Sequence, residues 1–449
     1  MLLLWVLNLI IPINSKLLFV FSHFRHGARG PWENVNISSG IDILDEKWNG
    51  IGELTGAGMR MHYLEGYYMK NKYKDFINLN KYNKDEFIIL STLMNRTILS
   101  AYSQLIGMFP PGSGYKLNEN QIKFAKINYG NYSEDVITKI NELKDFSIEK
   151  GLTIFPINVI NPKDRLMRLD KGNVCPYSEY IKKTNKKKGK YNNTMNLFIK
   201  DFNDIYGNYF KQAFNIKDDF YKDFTNIYNL ADAFISSYFD GRDMIKLKNK
   251  TLNDNFYKFA LNVSFFHTFN HSFRGDDSDI LSIISMSPIF EKILYWMNKR
   301  IELHKNNKSD IIEENSPKMV FLSAHDSTLA AQSIFFNKLF NIKYDETTFA
   351  ANFQLELNYN ETSKKYYITY ITNGKSNYTF DYNNFNNTIT KNIKNKNEVN
   401  DFCDTKIGFN FWFIYFIIAL ILVIVMIILV ILIPHKIKEE EDDNQYEQI

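Results

Sequence analysis

The chain opens with two apolar runs that differ in kind. Leu2 to Leu7 is uninterrupted, and Ser15 supplies a small residue after it, a pattern that predicts a signal peptide over residues 1–15. No basic residue precedes the run, so an uncleaved anchor is the alternative. From Leu17 a run of strand length leads to an abrupt stop at Arg25, and His26, Gly27, Arg29, Gly30 and Pro31 follow at once. That change predicts a buried strand that delivers a charged loop, with Gly27 and Gly30 allowing tight turns and Pro31 sending the chain away.

Further on, Thr55 is placed to cap a helix through Gly58, Met59, His62, Gly66 and Met69, whose apolar positions recur at helical spacing. Phe87 to Thr92 reads as a buried strand and Ile98 to Met108 as a helix, which puts Arg96 where a strand ends and a helix begins. Residues 128–278 show long, aromatic-rich helical stretches and predict a mostly helical cap inserted in an α/β domain. A helix over 280–304 precedes the strand Met319 to Ser323, after which Ala324-His325-Asp326 opens another helix. Phe353 to Leu357 and Tyr366 to Tyr370 alternate like a strand pair completing a sheet. Residues 411–433 are apolar and uncharged, about 34 Å of helix at ~1.5 Å per residue, enough for a single membrane span. His435, Lys436 and Lys438 follow it, so residues 16–407 are expected to be lumenal or extracellular and 434–449 cytosolic. A buried core helix is the alternative for that span.

Composition narrows this picture only a little. Over 449 residues, 45% hydrophobic and 16% aromatic content excludes a disordered chain, and a net charge of +4 gives no argument for nucleic-acid binding. The two cysteines, Cys175 and Cys403, suit one bridge in a secretory compartment, and sequons from Asn36 to Asn386 are compatible with glycosylation there. The run Lys182 to Lys188 reads as a solvated loop, with docking of an anionic substrate or membrane as the sharper alternative. His267 and His271 are four apart, but no second ligand set accompanies them, so they read as ordinary histidines and no metal site is expected.

The candidate chemistry gathers at strand ends. Arg25 and Arg29 flank His26, and two guanidiniums directed at one small volume suit an oxyanion, phosphate first. Arg25-His26-Gly27-Ala28-Arg29-Gly30-Pro31 resembles the R-H-G-x-R-x-P signature of the histidine acid phosphatase family. Two more segments agree in order: Arg96-Thr97-Ile98-Leu99-Ser100-Ala101 is similar to the family's D-x-D-R-T-x-x-S-A, and His325-Asp326 to its His-Asp pair. Leu93 and Asn95 stand where that second motif has acids, which puts in question how Arg96 is held. Asn95 is also a sequon, expected to stay bare because a glycan would block the pocket.

The resemblance covers about residues 17–403 and implies a phosphoglycerate-mutase-like α/β core sheet flanked by helices, with a cap. It implies hydrolysis of phosphate monoesters through a phosphohistidine on His26, with Asp326 as proton donor and Arg25, Arg29, Arg96 and His325 gripping phosphate. It also implies a Cys175–Cys403 bridge and no cofactor. By repelling an imidazolium, the arginines would keep His26 neutral in acid. An inositol polyphosphate phosphatase is the alternative enzyme, and a catalytically silent surface receptor the alternative of another class. Tyr446, Glu447, Gln448 and Ile449 resemble a tyrosine-based sorting signal, implying a sorting adaptor and delivery to endosomes or lysosomes.

Overall fold

The computed structural model describes residues 15–33, 48, 50–125, 133–186, 189–214, 222–242, 250–273, 277–313, 315–343, 347–405 and 419–428. The expected signal peptide, except Ser15, and the sorting motif lie outside the described residues.

The chain runs β1 (Ser15–Arg25), α1 (Gly56–Tyr73), β2 (Phe87–Thr92), α2 (Asn95–Met108), α3 (Glu119–Phe124), α4 (Glu134–Leu143) and β3 (Asn158–Ile160). Five helices follow: α5 (Pro176–Lys186), α6 (Gly189–Phe202), α7 (Asn208–Phe214), α8 (Phe224–Phe239) and α9 (Lys250–Ser272). After α10 (Ser278–Lys305) come β4 (Met319–Ala324), α11 (Asp326–Phe340), β5 (Asn352–Asn360), β6 (Lys365–Thr372), β7 (Lys375–Asp381), α12 (Tyr382–Asn392) and α13 (Lys396–Cys403).

Seven strands form one sheet in the order β3-β2-β4-β1-β5-β6-β7. The first four are parallel, and β5, β6 and β7 continue antiparallel from β1. Helices cover both faces of β1, so both sets of its alternating side chains are buried. Phe19 and Phe21 pack with Phe290 and Ile293 of α10 and Phe335 of α11. Val20 and Phe24 point the other way, to Met69 and Tyr73 of α1 and Leu105 of α2. A register shift between Leu17 and Phe19 explains why Leu18 joins the same cluster as Phe19.

Helix α10 is long and apolar enough to cross a membrane, yet most of it is buried in this core. A third apolar cluster belongs to the inserted helices: Phe202, Phe210, Phe234 and Phe256 pack together, and Ala28 and Phe349 extend that cluster to the loop after β1. Among the residues expected to be mostly helical, Asn158–Ile160 departs from the pattern and adds the edge strand next to β2. Cys175 and Cys403 form a disulfide.

Residues 405–449 form a separate unit, in which Ala419–Ile428 is an apolar helix with exposed side chains. The rest of the expected span over 411–433 lies outside the described residues.

Candidate active site

Parallel strands deliver their carboxyl-terminal loops to one edge of the sheet, and β1, β2 and β4 each contribute there. The β1 loop is pinned from two sides. His26 N–H donates to the Ala324 carbonyl at the end of β4 at 3.1 Å, and Ala350 N–H donates to the His26 carbonyl at 3.1 Å. Gly27 N–H donates to Ser100 Oγ of α2 at 3.1 Å. Neither Gly27 nor Gly30 has a positive φ, so the expected reason for these glycines needs correction. A Cβ on Gly27 would meet the Gly58 carbonyl oxygen at 2.3 Å, and one on Gly58 would meet that of Ala28 at 2.1 Å. Close approach to a backbone is the requirement, to α1 at Gly27 and to the Gly50 carbonyl oxygen, 2.6 Å from a Cβ, at Gly30. Thr55 caps α1 as expected, accepting from Gly58 N–H at 3.2 Å.

His26 is buried, with Nδ1 2.9 Å from the Gly27 carbonyl. That oxygen can only accept, so Nδ1 carries the hydrogen and Nε2 the lone pair. Burial first, and then the charges of Arg96, Arg25 and Arg29, hold its pKa well below the ordinary imidazole value. The His325 ring lies edge-on at 5.6 Å between centroids, its Nε2 2.8 Å from Thr92 Oγ1 at the end of β2. Burial and neighbouring cations, Arg168 foremost, keep His325 neutral as well.

The three arginines are held in three different ways. Arg25 Nη2 lies 2.9 Å from Asp326 Oδ2, Nη1 donates to the Thr347 carbonyl at 2.6 Å, and the guanidinium sits 4.3 Å from the Phe349 ring centroid. Arg29 forks onto Asp232 of α8 at 2.8 and 3.0 Å, and burial, which alone would lower its pKa, is outweighed by that carboxylate. Asp232 also accepts from Trp32 N–H at 2.8 Å. Arg96 has no carboxylate partner among the described residues. It donates weakly to the Gly52 carbonyl at 3.4 Å, lies over the Trp32 ring at 5.1 Å, and leaves Nε without a partner. Leu93 and Asn95, at the positions where the family's motif has acids, offer Arg96 no carboxylate. Burial and the like charge of Arg29 bring Arg96 down to about 10, so it stays charged. Burial raises the pKa of Asp326, but Arg25 and then Arg29 outweigh that and hold it at about 2.

All six residues expected to carry chemistry therefore converge at this edge of the sheet. Sequence reasoning missed Asp232, Thr92, Trp32 and Phe349. A single acid inside the apolar stretch Leu230-Ala231-Asp232-Ala233-Phe234 was the one usable signal, because a lone carboxylate is seldom buried without a cationic partner. His267 stacks on Tyr228 at 3.6 Å, and the side chain of His271 lies outside the described residues.

Fold and site together define a mixed α/β protein in which three arginines surround a buried, neutral histidine. The chain belongs to the histidine phosphatase superfamily (branch 2), whose profile matches residues 16–373. It is 41% identical over 98 residues to prostatic acid phosphatase of Rattus norvegicus, covering 22% of this chain and 25% of that protein. It is 34% identical over 117 residues to lysosomal acid phosphatase of Homo sapiens, covering 25% of this chain and 27% of that one. The match thus spans about a quarter of the length of these relatives. Two solved structures share the fold at 11% identity. They are the multiple inositol polyphosphate phosphatase of Bifidobacterium longum with inositol hexasulfate (TM-score 0.55, covering 83% of this chain and 89% of that one) and the phytase of Hafnia alvei with myo-inositol hexakis sulphate (TM-score 0.53, covering 85% and 98%).

Proposed function

We propose that this chain is an acid phosphatase that hydrolyses phosphate monoesters through a phosphohistidine on His26. The observation that carries this reading is a buried, neutral imidazole whose Nδ1 is tied to its own loop while Arg25, Arg29 and Arg96 surround it. Nε2 attacks phosphorus, the ester P–O bond breaks, and the departing alkoxide takes a proton from Asp326. Water then attacks the phosphohistidine and gives a proton to the Asp326 carboxylate as the P–N bond breaks, releasing inorganic phosphate and restoring both residues. The guanidiniums neutralise the phosphoryl oxygens, and His325, whose Nε2 lies 2.8 Å from Thr92 Oγ1, offers its Nδ1 hydrogen to the same group in the tautomer in which Nε2 accepts from that hydroxyl. Asp326 is ionised while it pairs with Arg25. A bound dianionic phosphate takes up the charge of Arg25 and repels the carboxylate, which raises its pKa and lets it carry the proton.

The cap helices would select the alcohol. A cavity of about 350 Å³ beside Arg25, lined by Ile235, Phe239, Leu261 and Phe265 among others, gives room for it. The wider setting belongs to the same proposal: a cleaved signal peptide, a glycosylated lumenal or extracellular domain, a single carboxyl-terminal membrane helix, and sorting to endosomes or lysosomes through Tyr446. The two relatives named as prostatic and lysosomal acid phosphatases support monoesters as the substrate class. An inositol polyphosphate phosphatase is the second reading, and the cations whose charges act on His26 and His325, namely Arg25, Arg29, Arg96, Arg168 and Lys171, favour it.

The test is hydrolysis of 4-nitrophenyl phosphate by the full chain at pH ~5 in chelator, a pH at which an ordinary imidazole is mostly charged. Activity in the native chain that is lost in His26→Ala is expected. Equal activity in the variant overturns the assignment.

A further inference from the structure

We infer that the loop of residues 161–175, after β3, forms a second anion subsite beside the catalytic pocket, where Arg168 and Lys171 receive a further acidic group of the substrate. This inference rests on the phosphatase reading above.

Strand β3 is parallel to β2, so the loop that follows it emerges at the same edge of the sheet as Thr92, Arg96 and His325. Within that loop two cations share one carboxylate. Arg168 Nε is 3.3 Å and Lys171 Nζ 3.7 Å from the oxygens of Asp170. The Asp170 side chain is 3% exposed, whereas Arg168 is 21% and Lys171 42% exposed, so the negative charge is buried and the surplus positive charge faces outward. The strand order puts Arg168 and Lys171 at the edge of the sheet where β2 ends, and in keeping with it the charge of Arg168 acts on both His325 and Arg96 and that of Lys171 on His325.

The loop is built to stay in place. Near its start, Arg165 forks onto Asp404 at 2.6 and 2.9 Å, and at its end Cys175 is bonded to Cys403, so both ends are fastened at the end of α13. Arg168 itself holds a left-handed backbone, φ 66°, a conformation that an arginine adopts only where its surroundings impose it. The Arg168 guanidinium is held in addition by Asp170, so it needs less ordering when an anion arrives, which favours binding.

The ligand chemistry is a phosphomonoester that carries a second phosphate or a carboxylate a short linker away from the scissile phosphate. The experiment uses the full chain and three matched substrates: propane-1,3-diol monophosphate, its bisphosphate, and the monophosphate of 3-hydroxypropanoate. The expected result is a KM for one or both doubly acidic substrates lower by about tenfold than that of the plain monophosphate. That ratio should collapse toward one in R168N, since asparagine tolerates the left-handed backbone, and shrink in K171Q. A preference for the bisphosphate alone assigns the subsite to phosphate, and a preference for both assigns it to acidic groups in general.

Because the readout is a ratio within each variant, a general loss of activity or stability does not imitate the effect. A ratio near one in the native chain, or a ratio unchanged in both variants, overturns the inference while leaving phosphatase activity in place. Failure of the native chain to hydrolyse 4-nitrophenyl phosphate as well removes the phosphatase reading and this inference with it.

Discussion

Arg25 Nη2 stands 2.9 Å from Asp326 Oδ2, which joins the end of β1 to the first turn of α11 and keeps the carboxylate ionised. If Asp326 supplies the proton to the leaving group, its importance depends on how much the leaving group needs one. Asp326→Asn should lower kcat/KM, which reports cleavage of the ester bond and not the later hydrolysis common to both substrates, by about 10²–10⁴-fold on alkyl phosphates, whose alkoxides leave poorly, and much less on 4-nitrophenyl phosphate. Equal losses on both substrates would assign Asp326 to binding.

Arg29 and Asp232 are both nearly buried, so each depends on the other. Asp232→Ala leaves a guanidinium uncompensated in the interior, and denaturant unfolding should show a loss of about 3–5 kcal/mol. Inorganic phosphate, by pairing with the freed Arg29, should raise the melting temperature of this variant more than that of the native chain. A variant as stable as the native protein would mean that water reaches Arg29.

Two buried histidines outside the proposed chemistry, His23 and His62, add to the loss of stability in acid that burial of His26 and His325 also produces. Burial lowers His23 and His62 to about 4, against hydrogen bonds to Gln332 and Gln104 that raise them. Their unfolded-state values are near 6.5, so between pH ~6.5 and ~4 the unfolded chain binds more protons than the native one. Their contribution is complete above pH ~6.5 and is lost as the pH falls to ~4, by about 3 kcal/mol for each. Thermal melting at pH 7 and 4.5 should show this decline, and His23→Gln should flatten it. A melting temperature that does not change between the two would contradict the account.

Gly58 offers a steric test of the catalytic loop. A methyl group there would meet Ala28 backbone atoms at 2.1 and 2.7 Å, whereas at Gly56 it would find open space. Gly58→Ala should displace the loop and cut kcat at least tenfold while the helical circular dichroism persists; Gly56→Ala should be nearly neutral. Similar kinetics for the two variants would show that the loop adjusts freely.

Much of the sheet was legible because its central strands are continuous apolar runs bounded by charged or turn-forming residues. β1, β2 and β4 appear where the pattern predicts them, and β5 and β6 form the expected pair, which the structure shows to be antiparallel. β3, with three residues, is too short for any period to register, and β7, Lys-Ser-Asn-Tyr-Thr-Phe-Asp, is an edge strand with mostly polar positions. The site divides along the same line. Arg25, His26, Arg29, Arg96, His325 and Asp326 stand in local motifs at strand ends, while Asp232 and Phe349 reach the pocket from distant segments that carry no motif. The glycines were legible as positions, but their reason, contact between two backbones, becomes visible only when α1 is packed against the loop.

The central claim is that Nε2 of His26 carries the phosphoryl group, and rapid-quench trapping tests it most directly. The full chain is mixed with a ³²P-labelled monoester at pH ~5 and quenched in alkali, in which phosphohistidine survives and acyl phosphates do not, and the labelled peptide is then sequenced. The account predicts label on the peptide containing His26, none in His26→Ala, and release of the label on acidification. Label on another residue, or an equal amount in His26→Ala, would contradict it.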